Sequence, residues 1–122
     1  MPHTTEVIVI GGGINGCAAA YALAQRGARV TVVERGHVAS GPTGRSSGIV
    51  RQHYSHETLA AMARDAVRVW TDFDERIGGD AGFVACGVVF MSGPADAATI
   101  RHTVAMQQRI GIDVRLLSRA EL

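Results

Sequence analysis

The sequence of 122 residues predicts an α/β fold built on a parallel βαβ unit, and three observations carry that reading. The apolar run from Val7 to Ile10 leads straight into Gly11, Gly12 and Gly13, with Gly16 three positions further on. Cys17, Ala18, Ala20, Tyr21, Leu23 and Ala24 then follow at helical spacing. A second β-branched run, Val30 to Val33, ends in Glu34. Strand, helix and strand within about 30 residues is the length of one βαβ unit, whose strands pair in parallel through a right-handed crossover.

The first helix is expected to reach about Arg26 and to stop at Gly27, its small side chains letting it lie close on the sheet. Residues 36–48, GHVASGPTGRSSG, have neither helical nor strand period and read as a long loop, a feature that in compact domains is usually functional. From Ser55, Leu59, Met62, Ala63, Ala66, Trp70, Phe73 and Ile77 fall at three- and four-residue steps, a helix closed by Gly78 and Gly79 whose apolar face is read as core. Phe83 to Met91 reads as a strand with a bulge at Gly87. Pro94 opens a helix running to about Ile110 and ending at Gly111, and Val114 to Leu117 reads as a short strand. Ser118 followed by Glu121 has the form of a capping box announcing a further helix. One turn cannot sustain itself when nucleation is costly, so the chain is expected to be the N-terminal part of a longer polypeptide.

Composition narrows the function. A hydrophobic content of 47% rules against disorder, and a net charge of +1 gives no global field to recruit nucleic acid or an anionic membrane. All twelve basic residues are arginine, so no lysine supplies a Schiff base or general base within this segment. Cys17 and Cys86 form no metal pattern, His3, His37, His56 and His102 have no ligand spacing, and no metal is expected. The four-residue apolar run before the glycines is too short for a signal peptide or a membrane span, and the expected setting is reduced and cytoplasmic.

Gly11, Gly13 and Gly16, with Ile14 and Asn15 between them, occupy the GxGxxG positions of a dinucleotide fingerprint. The first glycine permits the tight turn, the second removes a Cβ where backbone approaches a pyrophosphate, and the third lets helix and strand pack closely. Amides at the helix start favour the phosphates. Glu34 is placed to accept from ribose hydroxyls and would repel a 2′-phosphate, which argues against NADP. Cys17 reads as a small packed residue.

NAD and FAD share the ADP half that this motif grips. The run VIVIGGGINGCAAAYALAQRGARVTVVERG resembles the N-terminus of flavoproteins of the D-amino acid oxidase superfamily. The segment ASGPTGRSSGIVRQHYS is similar to the matching region of its sarcosine oxidase β-subunit and dimethylglycine dehydrogenase branch. The resemblance covers essentially the whole chain, with the first 54 residues carrying its specificity. It implies a Rossmann-like FAD/NAD(P)-binding domain, incomplete here, with residues 1–80 as the FAD-binding unit and 81–122 as the start of a substrate domain. It also implies FAD as the cofactor, Gly11, Gly13 and Gly16 as the pyrophosphate loop, Glu34 as the adenosine-ribose ligand and Arg35 beside the adenosine. Thr43, Gly44, Arg45, Ser46 and Ser47 would contact the diphosphate and flavin through hydroxyls and amides. Where the dimethylglycine dehydrogenase pattern TWHAAG has a flavin-linked histidine, TGRSSG here has Arg45, so covalent attachment through this loop is not expected.

Arg51, His53 and Tyr54 follow the loop directly. Arg51 has the chemistry to bind a carboxylate bidentately and His53 to titrate near neutrality, which makes both candidate catalytic residues. The activity implied by resemblance is oxidation of the C–N bond of a small amine or amino acid, such as sarcosine, dimethylglycine or a D-amino acid, by hydride transfer to flavin. Other subunits of a hetero-oligomeric oxidase are implied partners. Two alternatives stay open at this point: an NAD-linked dehydrogenase, and a truncated nucleotide-binding fragment without a redox site.

Overall fold

The computed structural model of the chain describes residues 4–121. It divides into two compact units, Met1–Ile49 and Val50–Leu122. In the first, β1 (Val7–Ile10), α1 (Ile14–Ala24) and β2 (Val30–Val33) follow one another. The strands pair in parallel with Val7 opposite Val30 and Ile10 opposite Val33. Gly11 N donates to Val33 O at 2.8 Å, carrying the ladder one step past the strands. At the other end Thr5 Oγ1 donates to Arg29 O at 2.9 Å, and Arg29 pairs with Glu6 at 3.0 Å. Helix α1 packs on both strands. Its end is a Schellman motif, with Ala28 N donating to Leu23 O and Gly27 N to Ala24 O.

The second unit contains α2 (Glu57–Thr71), α3 (Phe73–Arg76) and α4 (Ala97–Arg109), the last entered through a 3-10 turn at Pro94–Asp96. Thr103, Val104, Met106 and Gln107 are buried along one face of α4, which packs on α2. Ala60, Met106 and Ile112 form the core, with Tyr54, Ile110 and Val114 against it. Arg64 ties the two helices by donating from Nη1 to Ile110 O at 2.6 Å, beyond the end of α4.

The helix expected from Ser55 to Ile77 breaks at Asp72 into α2 and α3. Trp70 and Phe73 stack at 5.7 Å and line an open cavity of about 490 Å³ with Asp74, Asp80 and Phe83, so they are half-buried cavity walls and not core. Neither 83–91 nor 114–117 is a strand. The valines and phenylalanines of 83–91 suit a pleated surface, but a strand exists only where a neighbour supplies a ladder, and no described residue forms one with either segment. Half of the capping box at 118–121 forms, with Ser118 N donating to Glu121 Oε2 at 2.7 Å, while Glu121 N donates to the Ser118 carbonyl and not to its hydroxyl, over a 3-10 turn at Arg119–Glu121.

Candidate functional site

The site grows from the turn between β1 and α1. Gly11 has φ +105°, a conformation in which a side chain would be strained, and this reverses the chain at the end of β1. Gly16 serves close approach: a Cβ there would lie 2.0 Å from Gly11 O, so only glycine lets the first turn of α1 sit against the end of the strand. At Gly13 a Cβ would meet only the Thr43 hydroxyl, at 3.1 Å. Within 4 Å of that point no other side chain lies at the opening of α1. Gly13 is the N-cap and supplies no side-chain cap, and amides in a first helical turn have no intrahelical acceptor. Thr43 Oγ1 accepts from Ile14 N at 3.0 Å and keeps its own O–H to donate.

Glu34 stands at the end of β2 and turns toward the glycines. Its Oε2 accepts from Gly12 N at 2.8 Å and its Oε1 from Gly36 N at 2.9 Å. The Gly12 amide first, then the Gly36 amide, and then the amide and charge of Arg35, hold the carboxyl below its ordinary value against an opposing effect of burial. The carboxylate is therefore ionised and held by backbone amides, with acceptor capacity left for a hydroxyl. Ile10, Gly11, Val33, Glu34 and Arg35 line a cavity of about 330 Å³ at the carboxyl ends of both strands, where open α/β sheets bind their ligands.

The loop folds back on this turn. Ala39, in the left-handed region at φ +64°, donates from its N to Gly12 O at 2.9 Å, and Gly44 N donates to Ala39 O at 2.9 Å. A Cβ on Gly44 would lie 2.3 Å from Ala39 O, so this position is held for backbone contact. The amides of Arg45 and Ser46 close a 3-10 turn onto Pro42 O and Thr43 O, and Ser46 Oγ accepts from Gly48 N. The Arg45 and Ser47 side chains are exposed, as are those of Ile14 and Asn15. Sequence reasoning passed over Gly12, yet it is buried and joins Glu34 to Ala39 through its N–H and C=O, while a Cβ on it would press on Glu34 Cβ at 3.2 Å. The unbroken GGG was the available signal.

Arg51, His53 and Tyr54 lie in the second unit. Arg51 is exposed, its guanidinium 5.3 Å from the centre of the Tyr54 ring, and it makes no ion pair among the described residues. His53 stacks on Phe90 at 4.2 Å, and its Nδ1 lies 3.3 Å from Gln107 Nε2. Gln107 is fully buried, and neither it nor Phe90 was singled out by spacing or motif. Among the described residues no group of His, Cys, Asp or Glu could hold a metal, and no helix is long and apolar enough to cross a membrane.

Glycine turn, parallel strands and acidic strand end together define a Rossmann-like βαβ unit of the dinucleotide-binding kind. The family described as "DAO: FAD dependent oxidoreductase" matches residues 6–122, and the chain belongs to it. It is 30% identical over 114 residues to a probable sarcosine oxidase of Arabidopsis thaliana, covering 92% of this chain and 27% of that protein. To the sarcosine oxidase subunit beta of Rhizobium meliloti (strain 1021) it is 32% identical over 123 residues, covering 98% of this chain and 29% of the other. The crystal structure of L-proline dehydrogenase from P. horikoshii superposes with a TM-score of 0.83 at 28% identity, covering 99% of this chain and 32% of that one. The chain spans less than a third of the length of each of these relatives.

Proposed function

We propose that this chain is the FAD-binding portion of an oxidoreductase that oxidises the C–N bond of a small amine or amino acid. The observation that carries the reading is the cavity at the carboxyl ends of β1 and β2, with Glu34 fixed at its wall beside a helix opening free of bulky side chains. Those residues fit the ADP half of FAD. The amides of Gly13, Asn15 and Gly16 and the Thr43 O–H would hold the diphosphate, with the Ile14 amide already bonded to Thr43 Oγ1, while Glu34 would accept from the ribose hydroxyls and Arg35 would border the adenosine. Ser46, Ser47 and Arg45 would lie toward the flavin, with the amides of Gly44, Arg45 and Ser46 already committed to the loop's own turns.

When bound, FAD supplies the acceptor for the hydride lost by the carbon beside nitrogen. The chain's own part is to bind and orient. Arg51, exposed and free of an acid partner among the described residues, suits the carboxylate of an amino-acid substrate, and His53 would stand beside it as a hydrogen-bonding group. Sarcosine, glycine and proline are the substrates to try first, because proteins named for them are among the relatives. The functional division we favour is 1–80 for cofactor and 81–122 for the beginning of a substrate domain. The similarity to an oxidase β-subunit supports assembly with further subunits, and two free cysteines suit a reducing, cytoplasmic compartment.

The segment is proposed to bind cofactor without turning over alone, so the test is the absorbance spectrum of the complete protein to which it belongs, before and after anaerobic addition of sarcosine, glycine or proline. Flavin bands that bleach with one of these are expected. A colourless protein that binds NAD would overturn the proposal.

A further inference from the structure

Gln107 has a fully buried side chain in the second unit, and only one of its amide atoms is in use. Its Nε2 donates to Tyr54 O at 2.9 Å and lies 3.3 Å from His53 Nδ1, while Oε1 has no partner among the described residues. An amide can be turned over to exchange its oxygen and nitrogen, but here the Tyr54 carbonyl forbids it, since a carbonyl accepts only and an oxygen turned toward it would be repelled. The –NH2 group therefore faces Tyr54 O, and its second hydrogen is the one directed at His53. A ring nitrogen can take that hydrogen only if it carries none itself.

We infer that Gln107 is a positioning residue that holds His53 as the neutral tautomer protonated on Nε2, so that the imidazole offers an N–H donor on the side of the ring away from α4. Phe90 stacks on the ring at 4.2 Å with 25° between the planes and covers one of its faces. No described residue bonds to Nε2. The group it presents is matched to an acceptor oxygen, such as that of a carboxylate, and not to a proton held on the ligand. His53 acts as a donor in this arrangement and not as a resting base at Nε2. This inference rests on the proposed function only for its use in substrate binding, since the tautomer is argued from the Gln107 contacts alone.

The test is a long-range 1H–15N correlation spectrum of the 15N-labelled protein, taken at a pH above the titration of ordinary histidines. The expected His53 pattern is one unprotonated Nδ1 and one protonated Nε2, without averaging between them. In Gln107→Leu, which keeps the volume and loses both donors, the two nitrogens should move toward the averaged values of a free imidazole. A wild-type spectrum with Nδ1 protonated, or with already averaged nitrogens, overturns the inference even if the variant does not fold. A folded Gln107→Leu with an unchanged pattern overturns it too. Flavin content of the same samples reports separately on the proposed function, because a flavin-free protein with the expected His53 pattern would remove that function and leave the tautomer standing.

Discussion

At the scale of single residues, the turn after β1 is fixed by contacts that admit no alternative side chain. Gly16→Ala would place a Cβ 2.0 Å from Gly11 O, a backbone atom that cannot swing aside. Destabilisation of about 1–3 kcal/mol or more, as for overpacked cores, is expected in denaturant titration, with loss of bound flavin. A variant as stable as the parent would mean that strand and helix are not in this contact. Glu34 makes a prediction in pH. Its folded carboxyl titrates below the ordinary value of 4.5, so ionised Glu34 favours the folded state above that pH, and the contribution is lost as the pH falls through the lower folded value. Glu34→Gln should therefore flatten the acid limb of the stability curve, measured by denaturant midpoints between neutral pH and about pH 3. An identical acid limb would mean that the Gly12 and Gly36 amides do not hold the carboxylate.

Elements show what joins these residues, and here the Thr43 hydroxyl performs a capping role that Gly13 cannot. Thr43→Val keeps the shape and removes the acceptor for Ile14 N, at an expected cost of about 0.5–2 kcal/mol by analogy with N-cap deletions, while Thr43→Ser should stay near the parent. Equal midpoints for the Val and Ser variants would remove that role. The βαβ unit was legible in the sequence because its signals are local: β-branched runs, small helical residues and glycines at fixed spacing act within a few residues of one another. The residues 83–91 misled for the same reason. Val84, Val88 and Val89 have strand composition, but a strand is a relation to a neighbour, and composition carries no information about that neighbour. Gln107 was hidden differently. It stands among polar residues in QQRIG, and its burial and its bonds to residues 53 and 54 depend on packing across more than fifty positions. Gly12 was visible as the middle glycine of three, yet the fingerprint assigns it no role, and only the folded loop shows it joining Glu34 to Ala39.

For the whole molecule, what matters is how little apolar surface the chain buries. Among the described residues the buried hydrophobic ones are Ala60, Val104, Met106 and Ile112, whereas Ile8, Ile10, Val33, Val88 and Met91 are at least half exposed. With so small a core, the chain of 122 residues taken alone should have marginal stability, seen as a broad thermal transition and strong binding of an apolar dye. A sharp, high-temperature transition without dye binding would show that these surfaces are covered. FAD should narrow the transition if it binds the first unit, by mass action on the folded state. Cofactor binding at the turn after β1 is measured most directly by titrating the 15N-labelled protein with FAD and following the backbone amides residue by residue. Saturable shifts concentrated at Gly12 to Gly16, Glu34, Arg35 and Thr43 are expected. Shifts that saturate elsewhere while those amides stay still would contradict it.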